Sequence, residues 1–305
     1  MSKLGGIVPP LLTPMRPDGS PDLESLDQLV KHLLVAGVDG VFPLGSSGQV
    51  AYLTDAQRLA VVEQTVSAVA GQVPVLVGAP EMSANRVIDS AKRVIDLGAD
   101  MVVVTAPVYA MNDNAEIERY YQMIANAISV PIFAYDVPVR THTKLDLDML
   151  VRLGNDGVIA GVKDSSGDDV NFRRLVAANR AAGSPLALFT GHEVMCDAML
   201  LLGADGLVPG LGNVDPVGYV ELWKAAQSAD WVKARNIQDR LAGLFEIAFV
   251  AENRSGDAKG IGAFKVALQQ LGVIANAAMP APIAPLTETD NKKINNILHT
   301  AGLLS

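Results

Sequence analysis

A four-residue mark recurs along the chain: Gly37-Val38-Asp39-Gly40, Gly98-Ala99-Asp100-Met101, Gly154-Asn155-Asp156-Gly157 and Gly203-Ala204-Asp205-Gly206. Each copy follows a helical pattern and precedes an apolar run. Glycine just past a helix accepts the left-handed conformation that ends it, and aspartate with glycine turns the chain into the next strand. A second mark, Val73-Pro74, Val130-Pro131 and Ser184-Pro185, puts proline at the start of a strand, where no ladder donor is needed. The two marks interleave, so strands and helices alternate at nearly constant spacing from a first strand at Gly6 to Leu12 to an eighth at Gly206 to Pro209. That pattern predicts an α/β protein, a closed (β/α)8 TIM barrel over 1–228, in preference to an open doubly wound sheet.

The intervening segments carry helix signals. Thr54-Asp55-Ala56-Gln57 has the form of a capping box, Ser83 stands where it can cap the following helix, and Leu59, Val62, Val66 and Val69 repeat at helical spacing as a packing face. Beyond Asp215 the alternation stops and only helical patterns remain, over 216–228, 231–250, 260–271 and 289–301. The first is the last barrel helix; 229–305 is expected to be a C-terminal helical extension packed on the barrel.

Half of the 305 residues are hydrophobic, enough to bury a large core. A net charge of −9 without any basic cluster argues against nucleic acid or an anionic membrane surface as partner and favours a small molecule. The single cysteine, Cys196, rules out an internal disulfide framework, and no signal peptide or membrane-length apolar run is present; a soluble, cytoplasmic setting is the expectation. His32, His142, His192 and His299 are scattered and no metal-ligand spacing appears, so neither a metal site nor a cofactor is expected.

In a barrel of this kind chemistry belongs at the C-terminal ends of the strands. The run from Val158 to Val162 reads as a buried strand that ends in Lys163, which is either a snorkelling surface charge or a desolvated nucleophilic amine. Gly45-Ser46-Ser47-Gly48 is a tight turn or an anion cradle. Tyr135 is a core tyrosine or a proton shuttle, and Arg140 a solvated loop charge or a fork for a carboxylate. Gly210-Leu211-Gly212-Asn213 is a turn or a phosphate site. Convergence on one face raises the functional alternative for the first four.

Along nearly its whole length the chain resembles the dihydrodipicolinate synthase/N-acetylneuraminate lyase family of class I, Schiff-base-forming lyases. The resemblance is carried by Thr13-Pro14-Met15, Gly45-Ser46-Ser47-Gly48, Pro107-Val108-Tyr109, Tyr135-Asp136-Val137-Pro138-Val139-Arg140-Thr141 and Gly161-Val162-Lys163-Asp164-Ser165-Ser166-Gly167, in that order. It implies that Lys163 forms an iminium with pyruvate or a 2-oxo acid, with Tyr135 as general acid/base and Ser46 and Tyr109 as a hydroxyl relay. It also implies that Ser47 holds the carboxylate beside the reacting ketone, that Gly191 and Val208 line the pyruvate pocket, and that Arg140 meets the carboxylate of aspartate semialdehyde. In the family the second tyrosine reaches into a neighbouring subunit's site, so a homodimer or a homotetramer built as a dimer of dimers is implied.

Several residues depart from the family pattern. Ser46-Ser47 replaces paired threonines, Gln49 a common glutamate and Asp136 a common asparagine, while Val77 to Met82 and Val108 lack residues of the lysine-synthesis enzymes, those of a lysine feedback site included. Lys163-Asp164-Ser165 is closer to boxes of 2-keto-3-deoxy sugar acid aldolases. The expected activity is 4-hydroxy-tetrahydrodipicolinate synthase-like condensation of pyruvate with aspartate semialdehyde. The alternatives are a 2-keto-3-deoxy sugar acid aldolase or dehydratase, and a non-catalytic 2-oxo acid binding protein.

Overall fold

A computed structural model describes residues 4–304. Seven short strands, β1 (Gly6–Ile7), β2 (Leu76–Gly78), β3 (Met101–Thr105), β4 (Ile132–Asp136), β5 (Gly161–Asp164), β6 (Ala187–Thr190) and β7 (Gly206–Leu207), form one parallel sheet. Their spatial order, β1-β7-β6-β5-β4-β3-β2, makes a curled half-barrel. Crossovers carry α1 (Leu23–Ala36), α2 (Asp55–Val69), α3 (Ala84–Asp96), α4 (Asn114–Ala125), a short α5 (Pro138–Thr141), α6 (Leu147–Asn155), α7 (Asp169–Ala181) and α8 (Cys196–Leu202).

The sequence predicts eight strands, and the second of them is not a strand of this sheet. Val41 makes a single parallel bridge to Val75. Pro43 has no N–H to continue the ladder and Leu44 turns away at a φ of 59°, which is why pairing stops there. The backbone of 41–43 still hydrogen-bonds on both sides. Leu76 and Gly78 donate to the carbonyls of Val41 and Pro43 at 2.9 and 3.0 Å, while Phe42 donates to Pro9 and accepts from Leu11 at 3.0 and 2.9 Å.

Period-two alternation along the strands sorts the core into two parts. Val103, Phe133, Tyr135, Ala187 and Phe189 gather with Val8, Phe42 and Val208 on the concave face of the sheet. Their neighbours Val102, Val104, Ile132, Ala134, Leu186 and Leu188 pack outward against the helices.

The aspartates of the recurring mark do more than turn the chain. Asp39, Asp100 and Asp205 each accept a hydrogen bond from a strand or strand lead one crossover back, from the N–H of Ile7, Val75 and Leu188 at 2.8, 2.9 and 2.8 Å. Each clamp ties the start of one strand to the turn that begins the next. In the third copy Gly154 does not end its helix; it lies inside α6, where a side chain would collide with Leu186, and Gly157 takes the left-handed conformation instead. Thr54 forms the predicted capping box with Gln57, whereas Ser83 occupies the cap position of α3 without a side-chain bond.

After α9 (Pro216–Gln227) come three further helices, α10 (Trp231–Phe245), α11 (Gly262–Gln270) and α12 (Glu288–Thr300). Leu241, Leu244, Val266, Ile294 and Leu298 belong to the same buried cluster as the barrel helices, and Ala275 donates to Ser25 Oγ of α1 at 3.0 Å. Among the described residues no helix is long and apolar enough to cross a membrane.

Candidate active site

Strand alternation and register place Lys163. It pairs with Tyr135 on β4 and Phe189 on β6, both concave-face residues, so its side chain turns into the curl of the sheet. It is only 6% exposed, so the ammonium must be solvated by the protein. Nζ stands 3.6 Å from the centroid of the Tyr135 ring and 5.5 Å from that of Phe42, and donates to Ser165 Oγ at 3.2 Å. Two aromatic faces and a hydroxyl thus replace water around the charge.

Tyr135 packs edge-to-face on Phe42, and its hydroxyl lies 3.4 Å from Ser46 Oγ. Burial alone pushes the phenol up. The Lys163 charge, with hydrogen bonds from Lys163, Ser46 and Ser165, outweighs it and leaves the hydroxyl below its ordinary value. A phenol so placed gives up its proton more readily than one in water, which suits it to pass protons on.

The serine turn is held from outside. Leu44 and Gln49 bracket it in left-handed conformations, Gln49 N–H donates to the Ser46 carbonyl at 3.0 Å, and Thr13 Oγ1 donates to the Gly48 carbonyl at 2.7 Å. Lys265 of α11, fully buried, donates to Gln49 Oε1 at 2.6 Å and to the Ala278 carbonyl at 3.0 Å. Burial pushes this second lysine down to about 7.

Above Tyr135 opens a cavity of about 360 Å³ whose wall includes Phe42, Ser46, Tyr52, Thr105, Arg140 and Asp257, a size suited to a small ligand. Of the residues singled out in the sequence, Lys163, Tyr135 and Ser46 meet directly. Ser47 is half-buried and faces the Gly210 turn. Gly191 follows β6, its N–H donating to the Asp164 carbonyl at 2.7 Å, and Val208 packs in the concave cluster with Tyr135. Arg140 reaches the cavity wall from α5. Tyr109 is not brought to Ser46 and Tyr135 within this chain: it is 90% exposed, with a φ of 73°.

Four polar groups near the site were given no role from the sequence. Asp257, from a π-helical turn (Asp257–Ile261) before α11, is ion-paired with Arg140. Glu193 follows β6; burial pushes its carboxyl up to about 7, although the N–H groups of Leu211 and Gly210 and the nearby Lys163 charge act against it. Asp136 and Asp164, facing outward from the two strands that carry Tyr135 and Lys163, share the ammonium of Lys144. Among the described residues no group of three or more His, Cys, Asp or Glu side chains could hold a metal ion.

Among the described residues Lys144 is the one cation paired with those two carboxylates, and burial pushes Asp136 up to about 6 even in its presence. Replacing it, Lys144→Met, is expected to lower stability by roughly 3–5 kcal/mol at neutral pH, since a buried charge loses its partner. The sign of the pH dependence follows. A folded-state value above the ordinary 3.8 means that the native state holds this proton more tightly than the unfolded chain, so acidification through 6 favours the native state at this site. Urea unfolding at about pH 7.5 and about pH 5 should show the variant regaining part of its deficit in acid; an equal deficit at both pH values contradicts the assignment.

The whole chain finds matches among known proteins. A model of the dihydrodipicolinate synthetase family matches residues 3–301. A 4-hydroxy-tetrahydrodipicolinate synthase of Laribacter hongkongensis is 32% identical over 301 residues, covering 99% of this chain and all of the relative. One from Gluconacetobacter diazotrophicus is 30% identical over 301 residues, covering 98% of each. Among solved structures, YagE, an E. coli K12 prophage protein of the dihydrodipicolinic acid synthase family in complex with pyruvate, superposes with a TM-score of 0.92 at 27% identity, over 98% of this chain and 99% of that one. A chloride-inhibited dihydrodipicolinate synthase from Acinetobacter baumannii, complexed with pyruvate, gives 0.89 at 28% identity, over 99% of this chain and all of that one. With its curled parallel sheet and a family match that runs almost from end to end, the chain belongs to the dihydrodipicolinate synthetase family.

Proposed function

We propose that this protein is a class I lyase that makes or breaks a C–C bond beside the carbonyl of pyruvate through a Schiff base on Lys163. The observation that carries the proposal is the buried contact of the Lys163 amine with Tyr135, whose hydroxyl reaches Ser46. The free amine of Lys163 attacks C2 of pyruvate, the carbinolamine takes up a proton and loses water, and the iminium, as electron sink, lets the deprotonated Tyr135 take a proton from C3 to give an enamine. The enamine carbon attacks an aldehyde, the new alkoxide takes a proton, and hydrolysis of the imine restores Lys163; cleavage runs the same steps backwards.

In this scheme Tyr135 carries the protons, Ser46 passes them on, and Tyr109, exposed on its own chain, completes the relay in a neighbouring copy. Ser47 with its N–H holds the pyruvate carboxylate, Gly191 and Val208 shape the pocket floor, and a homodimer or homotetramer follows from the role of Tyr109. The same proposal takes 1–228 as a barrel closed by the 41–43 segment and 229–305 as a helical extension whose Lys265 and Asp257 brace the mouth. No cofactor enters these steps, and the protein works in the cytoplasm.

The relatives' name, 4-hydroxy-tetrahydrodipicolinate synthase, favours aspartate semialdehyde as the aldehyde. The pairing of Arg140 with Asp257 favours a second acceptor class, that of the 2-keto-3-deoxy sugar acid aldolases, because the arginine meant for the semialdehyde carboxylate already has one. The first half-reaction is common to both. Incubation with pyruvate followed by borohydride should leave a reduced pyruvyl adduct on the peptide that contains Lys163, seen by mass spectrometry. Folded protein without that adduct would falsify the proposed class.

A further inference from the structure

The acceptor end of the cavity is built from charges that are already spent and one hydroxyl, that of Thr105, that is not. Arg140 Nη1 donates to Asp257 Oδ2 at 3.3 Å and Nη2 to Asp257 Oδ1, the two-pronged contact that an incoming carboxylate would otherwise make. Tyr52 donates to the same Asp257 Oδ2 at 3.3 Å, so the aspartate is fixed from two elements and is itself buried. Arg58 and Arg86, the other guanidiniums of the wall, are taken by Glu81, at 2.9 and 3.0 Å. An anionic aldehyde arriving here has to displace Asp257 and leave that carboxylate facing its own.

Thr105 supplies the opposite signal. It ends β3 opposite Tyr135, is 4% exposed and lines the cavity, and its Oγ1 has no hydrogen-bond partner among the described residues. A buried hydroxyl without a partner costs free energy that a hydroxylated ligand can return.

We infer that Asp257 and Thr105 together determine acceptor specificity, selecting an aldehyde whose far end is neutral and hydroxylated over one that ends in a carboxylate. Asp257 fills the fork of Arg140, and Thr105 Oγ1 meets a hydroxyl or carbonyl oxygen of the acceptor. The inference rests on the Schiff-base proposal and names the substrate class of that same site.

The test compares kcat/KM for condensation of pyruvate with D-glyceraldehyde and with aspartate semialdehyde, in the natural protein, in Asp257→Asn and in Thr105→Val. The natural protein is expected to favour glyceraldehyde by at least about tenfold, and Asp257→Asn to move the ratio towards the semialdehyde by about tenfold or more. Thr105→Val should cost glyceraldehyde about fivefold and leave the semialdehyde within about twofold. A ratio that does not move in Asp257→Asn, or a natural protein that prefers the semialdehyde, overturns the inference. Borohydride trapping on Lys163 with pyruvate alone, run in parallel, reads the first half-reaction separately. Should trapping fail, calorimetric titration with succinate at millimolar concentration still decides: binding gained in Asp257→Asn supports the inference, and identical behaviour of the two proteins overturns it.

Discussion

Lys163→Met is expected to abolish turnover, by at least about 10⁴-fold, while leaving the protein as stable as before or more so. The two halves of that expectation have one cause. Lys163 is buried against the rings of Tyr135 and Phe42, where an ammonium is costly and a thioether packs well. Methionine therefore keeps the volume, removes a desolvated charge and deletes the amine in contact with the Tyr135 ring. A third readout is spectroscopic: without the cation only the Ser46 and Ser165 hydroxyls still oppose the upward push of burial on the Tyr135 phenol, so its ionisation, followed by ultraviolet difference absorbance, should move to higher pH. A variant that unfolds earlier and loses activity in proportion would point to a structural role for this lysine instead.

Tyr135→Phe should lower kcat by roughly 10²–10⁴-fold, the usual range for losing a positioned acid/base, with much less effect on KM for pyruvate. The ring stays, so its edge-to-face contact with Phe42 at 6.3 Å and the cation above it are retained. Only the hydroxyl beside Ser46 is lost. Adduct formation with borohydride should slow without disappearing, because the amine is intact and only the proton traffic around it has been removed. If kcat survives within about threefold, the protons move through another group, and Glu193, whose carboxyl is pushed up to about 7 near Lys163, becomes the first to examine.

The parts of this molecule that were legible in the sequence are those written in local periodicity and punctuation. Glycines 37, 98 and 203 end or follow helices in left-handed conformations as expected, the Thr54 box caps α2, and the alternation along β4 sends Tyr135 inward. The second strand failed because Pro43 and the left-handed Leu44 cut its pairing short, although its backbone bonds to both neighbours survive. Gly154 misled because packing against Leu186, and not a turn, requires a small residue there.

The site divides in the same way. Lys163, Tyr135 and Ser46 stand in recognisable boxes and meet in the structure. Asp257 is 117 positions from the arginine it occupies and sits in a polar stretch with no period, so nothing local announced it. Lys265 did leave a signal, a lone charge among the apolar residues of Ala263-Phe264-Lys265-Val266-Ala267-Leu268, all of which are buried. Tyr109 remains where the sequence left it, a residue whose proposed role needs a second copy of the chain.

The aspartate clamps have a consequence for how such a protein can change. Asp39, Asp100 and Asp205 fix strand positions before the level of Lys163 in the sheet, using main-chain donors that every residue except proline supplies. Register is thereby insured by contacts that never touch a ligand. The loops at the opposite end, among them 106–113 and 251–258, are released from any duty to hold the strands together. They can be lengthened, exchanged or rewritten to admit new aldehydes while the lysine stays where it is, which makes this scaffold evolvable at its mouth because it is redundant at its base.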